Sequence, residues 1–400
     1  MHTWSVIVSA AALAQAGPVR RVDNGIGQKP ALGWNSWNQG GCNAASEEVA
    51  LRTAQAFIDL GLKDAGYTYV NIDDCWTTHD RDGSGNLVPD PNKFPNGIKS
   101  VADKIHDMGL KFGLYGDAGT QTCGGYPGSQ DHEEQDAQLL SSWGVDYWKY
   151  DNCYTPCNDG SVQTCGNPAG NTQTWYAKMS QYILNQEYPI LFSLCNWGRD
   201  DVWTWGNDVG HSWRMSVDNW GGWDDVVRIA SSAGPIAEYA QPGGFNDLDM
   251  MIIGNGKLSE AEERTHFGIW AITKSPILMG TDMTQLSETA LNLIKNKGLL
   301  AVNQDDLGQA AGTFTPPGQN GPGNGQLSRW WAGPLSDGVV IGLVAPDGAE
   351  TVSVNFADVP GLGDGEFEWE ELFSGQTGSG TSVSADLQAH DMAAYKVKTS

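Results

Sequence analysis

Tyr147-Trp148-Lys149-Tyr150-Asp151-Asn152-Cys153 is an apolar run that closes on a carboxylate, and the same form recurs along the chain. A strand alternates its side chains between two faces, so Lys149, Asp151 and Cys153 share one side. Outward from this stretch, further β-rich runs lie at Gly33–Trp37, Tyr67–Trp76, Lys111–Asp117, Ile190–Trp197, Ser212–Asp218, Ile236–Gln241 and Pro276–Thr281. Helical stretches separate them. Ile98, Val101, Ala102 and Ile105 fall at helical spacing in a segment that runs to Met108 and stops at Gly109. Another helix opens with the capping box Ser259-x-x-Glu262 and carries Phe267 to Ile272. Strand then helix, repeated over roughly 280 residues, predicts an α/β fold of the (β/α)8 TIM-barrel type, with an open doubly wound sheet as the alternative.

The period breaks near residue 312. The segment from Thr313 to Gly325 is dense in turn formers. Beyond it Val339–Val344 and the alternating Thr351-Val352-Ser353-Val354-Asn355-Phe356 read as strands, separated by turns at Asp337-Gly338 and Asp347-Gly348. A barrel at 22–311 followed by a C-terminal antiparallel β domain at 312–400 is therefore expected. Residues 1–21 read as a signal peptide and pro-segment: an apolar run from Trp4 to Ala14, small residues at Ala14-Gln15-Ala16, and a dibasic Arg20-Arg21. The expected location is extracellular, with cleavage after Ala16 or after Arg21. No other run approaches the ~18 apolar residues of a membrane helix.

The 400 residues include 48 acidic and 23 basic side chains, a formal charge of −25, which repels polyanionic partners such as nucleic acid or an acidic membrane surface. A neutral ligand is not repelled. The 17 Trp fit carbohydrate binding, since indole faces pack on the apolar faces of sugar rings, although many will simply be core. Seven Cys in an exported chain should be mostly paired, with one left free. No Asn-x-Ser/Thr sequon occurs.

In a barrel the chemistry sits where the strands end, and here those ends carry carboxylates. They are Asp73-Asp74, Asp117, Asp151, Asp218 and, in Gly243-Gly244-Phe245-Asn246-Asp247-Leu248-Asp249-Met250, Asp247 and Asp249. A single strand-end Asp is more often a loop cap. Recurrence on five strands points to a polar pocket instead, because an isolated buried carboxylate costs several kcal/mol. Lys149 beside Asp151 favours the ionised form that a nucleophile needs. Two carboxyl groups flanking a glycosidic bond are the minimum equipment for its hydrolysis. Asp151 and one Asp from strand six or seven could supply them, and the residues alone leave the second one open.

At these positions the chain resembles the α-galactosidases of glycoside hydrolase family 27. The resemblance runs from about Gly33 to the C-terminus. It is carried by Leu32-Gly33-Trp34-Asn35-Ser36-Trp37, Ile72-Asp73-Asp74-Cys75-Trp76, Leu114-Tyr115-Gly116-Asp117-Ala118-Gly119, Lys149-Tyr150-Asp151-Asn152-Cys153-Tyr154, Arg214 with Asp218, the segment Gly243 to Met250, and Asn303-Gln304-Asp305-Asp306-Leu307-Gly308. It implies a (β/α)8 barrel with a C-terminal β-sandwich and hydrolysis of terminal α-galactosides with retention. By motif, Asp151 is similar to the family nucleophile and Asp218 to its acid/base. Trp37, Asp73, Asp74, Tyr115, Lys149, Cys195, Trp197, Arg214 and Asp249 match or border positions that hold galactose. The resemblance also implies disulfides Cys42–Cys75 and Cys123–Cys153, a local bridge Cys157–Cys165, and Cys195 free at the pocket. Strand five ends Cys195-Asn196-Trp197-Gly198, the plant and fungal form rather than the animal one, with the Trp beside the sugar's 2-hydroxyl.

No cofactor or metal is implied. Asp80-x-Asp82-x-Ser84-Gly85 starts like an EF-hand loop but has Pro91 where a bidentate Glu is required, and reads as a turn. Cys153-x3-Cys157 lacks a nearby His for zinc, and Gly361-Leu362-Gly363-Asp364-Gly365 precedes no helix for phosphate. The rival readings are a β-L-arabinopyranosidase or α-N-acetylgalactosaminidase of the same fold, and, more remotely, a catalytically inactive galactose-binding protein. The Asp73-Asp74 pair, lacking a longer Glu to fill the C6 space, argues against the first. Trp197 argues against the second by crowding C2. Lys149, Asp151, Arg214 and Asp218 together argue against a mere binder.

Overall fold

The computed structural model describes residues 24–155 and 172–399. The expected export segment with its two candidate cleavage sites, and the expected Cys157–Cys165 bridge, lie outside the described residues. Eight strands form one parallel sheet: β1 (Leu32–Asn35), β2 (Tyr69–Asn71), β3 (Lys111–Asp117), β4 (Tyr147–Asp151), β5 (Leu191–Leu194), β6 (Ser212–Arg214), β7 (Phe245–Asp247) and β8 (Ile277–Met279). Their order is β7-β6-β5-β4-β3-β2-β1-β8. A parallel bridge from Met251, just past β7, to Met279 of β8 joins the two ends, so the sheet closes as a barrel.

The two-residue period decides what faces the axis. Val70, Phe112, Trp148, Tyr150, Phe192 and Trp213 point outward into the large core shared with the helices. Tyr69, Tyr147, Leu191 and Leu278 form a separate apolar plug inside. Two residues further along the same strands come Asn71, Lys149 and Ser193, and two beyond those Asp73, Asp151 and Cys195. The lumen thus passes from apolar floor to charged mouth. At Gly113 a Cβ would lie 2.1 Å from Asn71 Oδ1, so only glycine leaves room for that polar layer.

The helix over Gly97–Asp107 buries Ile98, Val101, Ala102 and Ile105, the face that the spacing predicts. The helix over Glu260–Ile272 starts at the Ser259 capping box. One strand is misplaced by the sequence reading. The stretch Ile236–Gln241 lies mostly in a 3-10 helix, Gly234–Tyr239, with Pro235 in its first turn, and β7 is the later Phe245–Asp247. Proline's fixed φ and missing N–H suit the first turn of a helix and exclude it from an inner strand. The other strands are mostly shorter than expected, because ladder pairing stops before the motif does. Asp73 and Asp74 lie past the end of β2, and Asp218 sits in the loop four residues past β6.

The C-terminal strands are β9 (Gly312–Thr313), β10 (Trp330–Leu335), β11 (Gly338–Val344), β12 (Glu350–Asn355), β13 (Phe367–Glu371), β14 (Thr377–Gly380), β15 (Ser382–Leu387) and β16 (Met392–Lys398). Six make an antiparallel sheet, β14-β13-β16-β11-β10-β9, and β12 pairs with β15. Ile341, Leu343, Val352, Val354, Val383 and Val397 share one core between the two sheets. The turn-rich segment opens as an edge strand, Thr313 pairing with Trp331. This unit docks on two barrel helices: Arg264 Nε of Glu260–Ile272 donates to Asp391 at 2.9 Å, and Trp223 of Trp223–Ala233 stacks on His390 with centroids 4.8 Å apart.

Candidate active site

Above the charged layer the strand ends open into a cavity of about 340 Å3. Trp37, Asp73, Asp74, Tyr115, Lys149, Asp151, Trp197, Arg214, Asp218 and Asp249 all line it. Of the residues that the resemblance matches to catalysis or sugar binding, Cys195 alone does not. It is buried behind Arg214, its Sγ 3.6 Å from Nη1, and burial pushes its thiol well above the ordinary range. Asn38, Gly41, Cys123, Asn219, Trp220 and Met250 also line the cavity and were missed as site residues. Met250 closes a motif already quoted, and Asn38, Asn219 and Trp220 lie within two residues of selected positions, so extending those motifs would have found them. The backbone turns sharply just past the strands: Cys75, Trp197 and Asp249 adopt φ of 72°, 62° and 75°. A left-handed non-glycine residue costs about 1–2 kcal/mol, a strain that clusters at functional sites.

Lys149 and Asp73 form the base of one wall. Lys149 Nζ donates to Asp73 Oδ2 at 2.7 Å, and Asn35 Nδ2 donates to the same oxygen at 2.7 Å. Burial alone would lower the Lys149 pKa, but Asp73, Cys195 and Asp151 hold it well above the ordinary range, so the ammonium persists. Asp74 does not share this partner. Its Oδ2 accepts from Gly124 N at 2.7 Å and its Oδ1 from Cys75 N at 2.6 Å, and burial pushes its pKa up despite those bonds. Lys149 therefore supports Asp73 directly and Asp74 only at a distance.

Asp151 accepts from the Tyr115 hydroxyl through Oδ2 at 2.8 Å and from Asn152 N through Oδ1 at 3.0 Å. Burial pushes its pKa up to about 6, against the pull of Lys149. Across the cavity, Arg214 Nη2 reaches Asp218 Oδ1 at 2.8 Å and Asp249 Oδ2 at 3.0 Å. Burial would raise Asp218, but Arg214, Lys149 and Arg228 hold it below the usual carboxylate range. Asp249 is raised by burial, and its Oδ2 also accepts from Asn219 N at 2.7 Å.

Two disulfides brace this arrangement. Cys42–Cys75 ties down the residue that follows Asp74, and Cys123–Cys153 ties the loop after β3 to the end of β4. Cys123 Sγ sits 3.4 Å from Asp151 Oδ2, and the next residue, Gly124, caps Asp74. Asp117 and Asp247, two members of the strand-end set, do not line the cavity. Asp117 accepts from Gly119 N and Cys153 N at 2.8 and 2.9 Å, and Asp247 from Asp249 N at 2.8 Å. They shape loops. Asp117 also lies within 4.8 Å of both Cys123 and Cys153 sulfurs, but the disulfide occupies those sulfurs and leaves no thiolate donors for a metal. Asp82 accepts from Ser84 N and Asn86 N, each at 2.8 Å, an Asx turn in place of a calcium loop.

Residues 29–305 match the family model described as alpha galactosidase A, and residues 326–397 match the alpha galactosidase C-terminal beta sandwich domain. The chain belongs to the α-galactosidase family. An α-galactosidase of Cyamopsis tetragonoloba is 41% identical, the match covering 94% of this chain and 88% of that one. The crystal structure of α-galactosidase I from Mortierella vinacea superposes with a TM-score of 0.85 at 33% identity, covering 94% of this chain and 100% of that one. The Saccharomyces cerevisiae α-galactosidase solved with raffinose has a TM-score of 0.81 at 29% identity, covering 95% and 100%. Family membership makes the molecule a glycoside hydrolase acting on galactosides, with the barrel and β-sandwich that this family combines.

Proposed function

We propose that this α-galactosidase is a retaining exo-enzyme in which Asp151 is the nucleophile and Asp218 the acid/base. The observation that carries the reading is the placement of a buried carboxylate and a half-open one on a single cavity, the first under the influence of Lys149 and the second paired with Arg214. Asp151 is 6% exposed and lies beside Lys149, while the Asp218 side chain is 38% exposed and paired with Arg214. A nucleophile gains from exclusion of water. An acid/base must take up and release protons, and its exposure lets it do so.

In the first step Asp151 attacks the anomeric carbon while Asp218 gives its proton to the departing glycosidic oxygen, leaving a covalent galactosyl ester. In the second, Asp218 takes a proton from water, which displaces Asp151 and restores the α configuration. Tyr115, donating to Asp151 Oδ2, steadies the carboxylate that leaves. Asp73 and Asp74 bind the hydroxyls that distinguish galactose, Trp197 borders the 2-hydroxyl, and Trp37, Lys149, Arg214 and Asp249 complete the subsite. Cys195 acts from behind, packed on Arg214.

The substrate class is a terminal α-galactoside on an oligosaccharide or polysaccharide. The S. cerevisiae relative holds raffinose, a substrate of this class. The two disulfides and the apolar N-terminal run support an exported protein, and no helix among the described residues is long and apolar enough to cross a membrane. Side-by-side assays on the nitrophenyl α-galactoside, β-L-arabinopyranoside and α-N-acetylgalactosaminide test the reading. The α-galactoside should be cleaved fastest, with α-galactose as the first product by NMR. A β-configured first product would overturn retention.

A further inference from the structure

A single exposed apolar side chain needs no explanation, whereas exposed apolar residues grouped beside a cavity mark a binding surface. Among the described residues, the exposed large hydrophobics are Ile58, Val217 and Trp220, at 39%, 54% and 69%. Two of the three flank Asp218. Trp220 also lines the cavity, so its indole is open to solvent and to the site at once. An exposed Trp on a loose loop would say little, but this backbone is pinned on every side. Trp220 N donates to Asp225 Oδ2 at 2.9 Å, and the neighbouring Asn219 N donates to Asp249 Oδ2 at 2.7 Å. Asn219 Nδ2 reaches Met250 O at 3.2 Å, Gly221 N donates to Asn219 Oδ1 at 3.1 Å, and Asn38 Nδ2 donates to Asn219 O at 2.9 Å. The backbone that carries the indole is thus fixed while the ring's surface is left uncovered.

We propose that Trp220 is a preorganised platform for the leaving group, taking the apolar face of a pyranose attached to the galactosyl unit. The proposal rests on Asp218 being the acid/base, because the leaving group departs from the atom that Asp218 protonates and must lie on that residue's side of the cavity. Asp73, Asp74 and Asp151, on the far wall, belong to the galactosyl unit itself. A flat aromatic surface favours a sugar leaving group over a small one, since indole and sugar together withdraw apolar area from water only when a ring is there to cover. The pinned backbone removes the loop's share of the ordering cost.

The test compares Trp220→Ala and Trp220→Phe with the unaltered enzyme on melibiose, whose leaving group is a pyranose, and on α-galactosyl fluoride, whose leaving group cannot stack. Trp220→Ala should lower kcat/KM on melibiose about tenfold more than on the fluoride, the factor that about 1.4 kcal/mol represents. Trp220→Phe, which keeps an aromatic face, should recover most of that difference. Equal losses on the two substrates in Trp220→Ala, or a Trp220→Phe variant that still loses about tenfold more on melibiose than on the fluoride, would overturn the platform and leave the α-galactosidase reading intact. Failure of the unaltered enzyme to hydrolyse α-galactosyl fluoride would sink the reading of the site itself, and this proposal with it. Because the indole is so exposed, both variants should fold with a Tm close to that of the parent, and the phenylalanine variant keeps the test decisive if the alanine one does not.

Discussion

β4 and β13 are both five-residue strands that alternate aromatic and charged side chains, Tyr-Trp-Lys-Tyr-Asp in one and Phe-Glu-Trp-Glu-Glu in the other. Their charges meet opposite fates. Glu368 and Glu370 of β13 face water, and the partner of Glu368, Lys398, is itself 64% exposed at 3.7 Å. Lys149 and Asp151 of β4 face the lumen of a closed barrel, where helices cover the outside and Tyr147 plugs the floor. The same alternation yields a solvated face in a sandwich and a charged, enclosed cavity in a barrel. What differs is whether the charged face is enclosed. Enclosure reduces screening and makes each ion pair and each proton count.

If enclosure is what matters, the largest effect should come from Asp151. Asp151→Asn should lose 10⁴-fold or more in kcat, with added azide restoring turnover through a β-galactosyl azide product. Near-normal activity would break the contrast outright. Asp73→Ala and Asp74→Ala come next, each expected to lower kcat/KM by about 10²-fold, because a site built to bind a hydroxyl leaves its partners unpaired when one is lost. Circular dichroism should show both folded. An Asp74 variant as active as the parent would remove that residue from galactose recognition.

Cys123 and Cys153 sharpen the comparison from the side of stability. Replacing both by Ser should cost about 2 to 5 kcal/mol in denaturant unfolding and also reduce activity, since the bridge touches Asp151 and positions the Gly124 cap on Asp74. A loss of stability with activity unchanged would separate the brace from the chemistry.

Smaller still is the expected pH effect. Asp151 and Asp218 share one site and titrate as a pair, active when the pair holds a single proton. The first proton leaves below the usual carboxylate range, where Arg214 holds Asp218, and the second leaves near the value of about 6 to which burial pushes Asp151. kcat/KM should therefore be flat on the acid side of 6 and fall about tenfold per pH unit above it. In the empty site the proton sits on Asp151, and the approaching glycosidic oxygen must draw it to Asp218. Undiminished kcat/KM at pH 8 would contradict the burial of Asp151 as the controlling feature. Last, Glu368→Gln on β13 should change stability by less than about 0.5 kcal/mol and leave kcat untouched, as expected of a screened surface pair.

Much of this was legible in the chain alone, and for a physical reason. Strand alternation, helix spacing, the Ser259 capping box and the change to turn-rich, antiparallel patterning at residue 312 are local properties, written within ten or so residues of one another. They favoured a barrel over an open doubly wound sheet and pointed to an antiparallel β domain behind it and a rim of carboxylates, and the motif resemblance added the sandwich and picked out ten of the residues that line the cavity. Tertiary structure decided the rest, because it depends on partners distant in sequence. It turned Asp117 and Asp247 into loop caps while leaving Asp73, Asp74, Asp151 and Asp249 facing the cavity. It moved the seventh strand past Pro235, placed Asp218 on a loop rather than a strand, and set Cys195 behind Arg214. It gave Lys149 to Asp73 and withheld it from Asp74. It also left Trp220 uncovered beside Asp218. Pairing, burial and proton affinity are sums over neighbours from many strands, and only the closed barrel brings those neighbours together.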